Sequence, residues 1–221
     1  PLALWLPVGP FNGSSIVDPE MNPVEQHLIP KSAAERSLQI LREFGADIWL
    51  FTYDKWLIDN PSGKYVAHEQ HTIRSAPTIV TDFSPYLASA CKIVGASADA
   101  AGLEACEKAM QQALGNEATA VRSQTYYLDI TPPGFDKGTF VQAMAKRLGI
   151  SLDAVATIGD MQNDLAMFRV SGTSIAMGNA TDSVKDQATN VTATNEQDGF
   201  AEAMEMILTR NGAGYTSCHP S

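Results

Sequence analysis

The chain has 221 residues and a formal net charge of −10 at pH 7, with 44% hydrophobic and 18% charged residues. This composition is typical of folded globular domains, and the length favours two bodies over one. The acidic balance argues against a nucleic-acid partner, because few cations are available to neutralise phosphate backbones.

The cysteines and the apolar runs indicate the compartment. Cys91, Cys106 and Cys218 are odd in number and have no metal-ligand spacing. We interpret them as free thiols in a reducing cytoplasm. No apolar run approaches the roughly 20 residues that are needed to cross a bilayer, so we expect no membrane partner.

Up to residue 131 the sequence predicts a mixture of helices and strands. A turn at Asn12-Gly13 precedes a short strand, and residues 18–30 form a polar connection. A turn signal at 60–63 predicts a return strand over 65–67, and 68–88 is mainly loop with short helical pieces near 80–88. The other elements are a helix over 33–44 capped by Ser32, strands over 47–53 and 90–95, a helix over 99–114, and strands over 119–123 and 125–131. This order is typical of an α+β body with one sheet and helices on one face.

A proline break at 132–134 separates this body from one in which helices and strands alternate. Short β-α-β units of this kind predict a parallel sheet with right-handed crossovers. The elements are a helix over 137–148 that Asp136 caps, strands over 154–158, 173–177 and 190–193, and helices over 163–170, 182–188 and 199–208. We therefore predict a core formed by 1–19 and 132–208, an inserted cap over 20–131, and a tail over 209–221.

The most informative stretch is GDMQND, residues 159–164, which directly follows a buried strand. Gly159 lets the chain turn, so that Asp160 lies just past the carboxyl end of the strand, and Asn163 and Asp164 open a short helix. Open α/β sheets bind ligands at this edge, and hard carboxylate oxygens suit Mg²⁺. The alternative is a surface turn in which these side chains only cap a helix.

Lys137 is the second informative position, because it stands in the first turn of a predicted helix. A cation there opposes the helix dipole and costs about a few tenths of a kcal/mol, and local violations of this kind tend to mark function. An ammonium directed at the same crevice as Asp160 would neutralise an anionic group bound beside Mg²⁺. The alternative is a solvated surface lysine.

Several short motifs carry a resemblance to a known family. They are Lys137-Gly138, Leu148-Gly149-Ile150, the stretch Gly159 to Asp164, Ala176-Met177-Gly178-Asn179-Ala180, Val184-Lys185 and Asp198-Gly199. The chain resembles the haloacid dehalogenase superfamily, and within it the Cof-type phosphatases. The resemblance implies a doubly wound, Rossmann-like α/β core with an inserted α+β cap. It also implies a Mg²⁺-dependent phosphatase that acts on small phosphorylated metabolites, often sugar phosphates.

The resemblance further implies a role for each of four residues. Lys137 would hold the transferring phosphoryl group. Asp160 and Asp164 would serve the metal, Asp160 directly or through water and Asp164 as its support. Asn163 would contact the phosphate or orient the site.

The chain departs from the family pattern at the nucleophile. The attacking Asp of the family comes from an amino-terminal strand that ends in a DxDGT-like motif, and no Asp-x-Asp occurs in these 221 residues. We therefore expect an amino-terminally incomplete core, with the nucleophile upstream of residue 1. Because Lys137 and Mg²⁺ neutralise charge but do not attack phosphorus, we expect the chain by itself to be close to inactive.

The predicted cap would close over the site and select the substrate. Asn12, Arg122 and Tyr126 are candidates for contacts with the leaving group, with Lys92 and Tyr127 beside them, although packing within the cap is the favoured role of the tyrosines. Two rival functions stay open: a non-catalytic phosphate or sugar-phosphate binding protein, and a sucrose-phosphate or mannosyl-phosphoglycerate phosphatase. We expect a monomer or a homodimer.

Overall fold

The computed structural model describes residues 6–20 and 22–211, and the predictions for 1–5, for 212–221 and for Cys218 lie outside them. Contacts between Cα atoms divide the chain into two compact units, Pro1–Phe140 and Val141–Ser221. Within the described ranges no helix is both long and apolar enough to cross a membrane. The boundaries of the core and the cap stay a prediction.

The first unit is built around a six-stranded sheet of order β5-β4-β3-β6-β8-β7, in which all neighbours are antiparallel except β4 and β5. A separate antiparallel pair is formed by β1 and β2. The elements are β1 (Ser15–Val17), β2 (Pro23–Gln26), α1 (Lys31–Glu43), β3 (Asp47–Phe51), β4 (Trp56–Ile58), α2 (Val66–Ile73), β5 (Thr78–Ile79), β6 (Lys92–Ala96), α3 (Ala100–Leu114), β7 (Thr119–Gln124), β8 (Tyr127–Thr131) and α4 (Lys137–Leu148), which ends in the second unit.

The two long helices, α1 and α3, pack on one face of this sheet, as the sequence predicted. Side chains alternate along a strand, so β3 directs Ile48 and Leu50 into the core shared with the helices. Leu41 of α1 is fully buried there and lies directly against Gly95 of β6. Burial of this apolar helix face, rather than helix propensity, therefore stabilises the layer.

The opposite face of the sheet carries an aromatic cluster. Trp49 contacts Trp56 edge to face at a centroid distance of 5.4 Å and Tyr127 at 5.0 Å. The short helix α2 contributes Val66 to the same cluster. Aromatic pairs in this geometry add stability beyond the area that they bury.

Three local predictions in this unit are wrong. No strand forms at 65–67, because the strand that pairs with β3 is β4, which comes before the 60–63 turn. The residues after that turn form α2 instead. The connection over 18–30 contains β2. The helix α1 begins at Lys31 after Pro30, without a side-chain cap, so Ser32 is inside the first turn. In each case packing against neighbouring elements overrides a weak local signal.

The second unit contains a three-stranded parallel sheet of order β11-β10-β9. Leu165 and Phe168 of α5 are buried in the same apolar cluster as Ala176 of β10. The elements are β9 (Ala156–Gly159), α5 (Leu165–Val170), β10 (Thr173–Ala176), α6 (Asp182–Lys185), β11 (Asn190–Val191) and α7 (Gly199–Asn211). This alternation confirms the predicted parallel strands and the α/β fold class.

We expect Leu41→Ala to destabilise the first unit more than any exposed truncation. Leu41 is fully buried, and deletion of a buried leucine side chain costs about 2–5 kcal/mol because it leaves a cavity. Ile79→Ala is the matched control, since Ile79 is 61% exposed. Urea unfolding followed by circular dichroism measures both variants, and equal midpoints would contradict this packing.

The stability of the first unit should also depend on Glu69 of α2. Burial raises the pKa of this carboxyl above its ordinary value of 4.5, against the opposing attraction of Lys92. A raised pKa in the folded state means that stability is fully present below pH 4.5 and is lost as the pH rises through the folded pKa. Glu69→Gln should therefore gain stability over the natural chain between pH 4 and 7. A difference in unfolding free energy that is constant with pH would contradict this.

Candidate functional site

The loop after β9 places Asp160 just beyond the carboxyl end of a parallel strand. The strand ends at Gly159, a single 3-10 turn follows over Gln162–Asp164, and α5 starts at Leu165. Asp160 is half-buried. The predicted order of strand, glycine turn, carboxylate and helix is therefore present in the fold.

Asp164 holds this turn closed. Its side chain is only 3% exposed, and its Oδ2 accepts hydrogen bonds from the backbone N–H of Asp160 at 2.9 Å and of Met161 at 3.0 Å. A Cβ at position 159 would lie 2.5 Å from the Asp164 Cβ, so Gly159 is needed for this close approach. Charge-assisted bonds of this kind are stronger than neutral ones. The geometry gives Asp164 a supporting position, and its part in metal binding stays a prediction.

Asp160 is oriented by a residue from the next loop. Asn179, which follows β10, donates from Nδ2 to the Asp160 Oδ2 at 2.8 Å, and its Oδ1 accepts from the backbone N–H of Asn195 at 3.0 Å. Asn195 follows β11. Three loops at the carboxyl edge of the sheet are thereby joined around one carboxylate, which is the edge where α/β sheets bind ligands.

Sequence reasoning missed Asn179 and Asn195 as parts of this site. The signal was available, because the carboxyl ends of parallel strands meet at one edge of a sheet. Asn179 comes shortly after the strand predicted over 173–177, and Asn195 shortly after the strand predicted over 190–193. Gly178 also allows the β11 loop to come close, since a Cβ there would lie 2.7 Å from the Ala193 carbonyl carbon. The side-chain amide of Asn179 satisfies the Asp160 carboxylate without adding charge.

The chemistry of Asp160 fits the Mg²⁺ that the resemblance implies, as one carboxylate ligand. Mg²⁺ takes hard oxygen ligands and is usually bound through one or two carboxylates together with waters and substrate oxygens. Asp160 offers one half-buried carboxylate whose orientation is fixed by Asn179. Among the residues that the structure describes, no group of three or more His, Cys, Asp or Glu side chains is arranged around a common metal position.

Lys137 is the first residue of α4, and the start of this helix is tightly specified. Asp136 accepts from the Thr139 backbone N–H at 2.8 Å, while the Thr139 hydroxyl accepts from the Asp136 backbone N–H at 3.0 Å. This reciprocal arrangement confirms the predicted Asp136 cap. Lys137 is half-buried. Its role toward a phosphoryl group stays a prediction, as does that of Asn163, which lies in the 3-10 turn after β9.

The turn that carries Asn12 lies against the start of α4. A Cβ at Gly13 would lie 2.8 Å from the Asp136 carbonyl oxygen and 2.6 Å from the Phe140 Cβ. Asn12 itself donates from Nδ2 to the Oδ2 of Asp129 on β8 at 3.1 Å. The first unit therefore brings Asn12, proposed from the sequence as a substrate contact, next to the beginning of the helix that carries Lys137.

The other two candidates for substrate contacts have partners within the first unit. Arg122 bonds through Nε to Glu107 of α3 at 2.9 Å, and its Nη2 lies 3.6 Å from Glu104. The ring of Tyr126 stacks on that of Tyr65 at 4.5 Å. These contacts agree with the packing role favoured for Tyr126, and the part of both residues in substrate binding stays a prediction.

The chain has an α/β fold with a carboxylate at the edge of a parallel sheet where ligands commonly bind, and comparison with known proteins identifies the family. The model of the haloacid dehalogenase-like hydrolase family matches residues 1–204, and the chain belongs to this family. A solved haloacid dehalogenase-like hydrolase from Bacillus subtilis is 26% identical with a TM-score of 0.80, over 93% of this chain and 80% of that one.

Two curated relatives are named phosphatases. The 5-amino-6-(5-phospho-D-ribitylamino)uracil phosphatase of Bacillus subtilis is 27% identical over 194 residues, which cover 87% of this chain and 69% of that protein. The phosphoglycolate phosphatase of Nitrosopumilus maritimus is 40% identical over 93 residues, which cover 42% of this chain and 40% of that protein. The chain thus spans less than half of the second relative.

We expect Asp164→Ala to destabilise the second unit, because two backbone N–H groups lose a charged acceptor. Each hydrogen bond to a charged group is worth about 1.5–3 kcal/mol, so the loss of two such bonds should lower the unfolding free energy by about 3–6 kcal/mol. Asp153→Ala is the matched control, an exposed carboxylate just before the same strand. Denaturant unfolding measures both, and similar losses for the two variants would contradict the role given to Asp164.

Proposed function

We propose that the protein is a Mg²⁺-dependent phosphatase that hydrolyses small phosphate monoesters, with phosphorylated sugars as the favoured substrate class. The observation that carries the proposal is the loop after β9, in which Asp164 fixes the backbone and Asn179 fixes the Asp160 carboxylate. Membership of a hydrolase family and the phosphatase names of two relatives support it.

In the proposed mechanism Asp160 is a metal ligand, and the metal, when bound, supplies charge neutralisation at the phosphoryl oxygens. The Asp160 carboxylate suits this role because Asn179 holds it in a fixed direction. Fixed groups stabilise developing charge more than mobile ones, because no reorganisation is needed during the reaction. Asp164 contributes by holding the backbone of Asp160 and Met161.

Lys137 is proposed to hold the transferring phosphoryl group, and Asn163 to contact the phosphate. The ammonium would neutralise charge spread over the equatorial oxygens, which is the main requirement of phosphoryl transfer. The reaction would proceed through an aspartyl-phosphate, on the carboxylate that the resemblance assigns to a DxDGT-like motif. That carboxylate attacks phosphorus as the ester oxygen leaves, and water then releases inorganic phosphate and restores the carboxylate.

The site would act on a small metabolite in the cytoplasm. Cys91 and Cys106 are buried free thiols, which suits a reducing compartment. The substrate would be selected by residues of the predicted cap over 20–131. A phosphatase of sucrose-phosphate or mannosyl-phosphoglycerate type is the alternative within the same class, and the protein would act as a monomer or a homodimer.

Variants at Lys137 and Asp160 test the proposal on the full-length protein, with p-nitrophenyl phosphate and Mg²⁺. Lys137→Ala should lower kcat/KM by about 10²-fold, as the loss of a positioned charge-stabilising donor does. Asp160→Asn should cost at least as much, and EDTA should abolish turnover. Lys146→Ala, exposed near the other end of α4, and Asp153→Asn, exposed before β9, are the matched controls and should change turnover less than about twofold.

The outcomes separate the proposal from its rival. Turnover that is indifferent to Asp160→Asn contradicts a phosphatase site at this loop. An absence of turnover together with Lys137-dependent binding of inorganic phosphate, measured by calorimetry, would favour the non-catalytic binding protein.

A further inference from the structure

The turn that carries Asn12 has a strained backbone. Phe11, Asn12 and Gly13 have φ angles of +56°, +57° and +89° in succession, a left-handed conformation that costs a residue with a side chain roughly 1–2 kcal/mol. Such turns persist only where the surroundings fix them. Local hydrogen bonds contribute, since Gly13 N–H donates to the Pro10 carbonyl at 3.1 Å and Ser14 N–H to the Phe11 carbonyl at 3.2 Å.

The long-range contact that fixes this turn comes from a buried carboxylate. Asp129 on β8 is 3% exposed. Its Oδ2 accepts from the Asn12 Nδ2 at 3.1 Å and lies 3.4 Å from the Lys92 Nζ on β6. A buried carboxylate is tolerated when a cation and hydrogen-bond donors compensate it. Lys92 supplies the positive charge that compensates the buried carboxylate, and the same Oδ2 atom accepts the hydrogen bond from the Asn12 amide.

The same turn contacts the helix start that presents Lys137. Gly13 lies so close to the Asp136 carbonyl that a Cβ would come within 2.8 Å of it, and Asp136 caps α4 through Thr139. A contiguous series of contacts therefore runs from Asp129 to Asn12, along the chain to Gly13, and on to the first turn of α4. Couplings between distant groups travel through packed and hydrogen-bonded series of this kind.

We propose that Asp129 is a positioning residue for Lys137. It holds the left-handed turn at Asn12, and this turn then fixes the first residues of α4. The role of Lys137 toward phosphate rests on the proposed function. The coupling between β8 and α4 does not, because it depends only on contacts among residues 6–140. Asp129 itself touches neither the phosphoryl group nor the metal in this account.

Amide hydrogen exchange on the full-length protein tests the coupling without any activity. Asp129→Asn removes the negative charge that pairs with Lys92 and leaves only a neutral, weaker acceptor for the Asn12 amide. Asn12→Ala removes that amide, with little risk to folding because Asn12 is only half-buried. In both variants the amides of Gly13, Ser14, Thr139 and Phe140 should exchange about 10-fold faster, since local opening becomes easier. Unchanged exchange at Thr139 and Phe140 would overturn the proposal.

Glu107→Gln is the control for general destabilisation. Glu107 of α3 also holds a partner in the six-stranded sheet, through the backbone N–H and the Nε of Arg122, each at 2.9 Å. This variant should leave the Thr139 and Phe140 amides within about twofold of the natural chain. Equal acceleration in Glu107→Gln and Asp129→Asn would mean that Asp129 acts only on overall stability, which overturns the proposal.

A double-mutant cycle on the full-length protein tests the link to Lys137. Asp129→Asn should lower kcat about 10-fold in the natural background but less than about twofold in the Lys137→Ala background, because residues that act as a unit are not additive. Losses that multiply would overturn the positioning role. If the natural protein hydrolyses no phosphate ester, the proposed function fails, while the exchange experiment still decides whether Asp129 controls the start of α4.

Discussion

The carboxylate of Asp164 closes the turn after β9 by accepting two backbone N–H groups with a single oxygen. Because this carboxylate is almost fully buried, water competes little for these bonds, and they stabilise the turn. The direction of Asp160 follows from it, since the backbone of Asp160 is one of the two groups that are held. Asn179 and Asn195 then extend the constraint to the loops after β10 and β11. Charge at this edge is thereby fixed before any ligand arrives.

The first unit uses the same device in a second place. A buried carboxylate, Asp129, receives a side-chain amide from a loop whose backbone is strained, and a neighbouring lysine compensates its charge. In both units a carboxylate inside the protein fixes a turn that carries a polar side chain. The buried carboxylates Asp164 and Asp129 thus stabilise backbone turns, and the half-buried Asp160 is the carboxylate that is proposed to bind the metal.

Much of this arrangement could be predicted from the sequence, at the positions where the spacing of apolar residues and the turn-forming residues indicate the same element. The parallel strands, the glycine turn before Asp160 and the Asp136 cap follow from local signals that the tertiary structure reinforces. The partner of Asn12 could not be predicted, because Asp129 lies 117 residues away along the chain and only the pairing of strands brings the two together. The α2 segment was missed for a similar reason, since Val66 owes its place to the aromatic cluster rather than to its neighbours in sequence.

Substitution of Mn²⁺ for Mg²⁺ in the full-length protein, followed by NMR, tests whether a metal ion binds at the carboxyl end of β9. Mn²⁺ broadens the signals of nuclei close to it, so the amide signals of Asp160, Met161 and Asn179 should broaden first, and Asp160→Ala should abolish this selectivity. Broadening that begins instead at the acidic surface around Glu104 and Glu107, and that Asp160→Ala leaves unchanged, would contradict a metal site at the carboxyl end of β9.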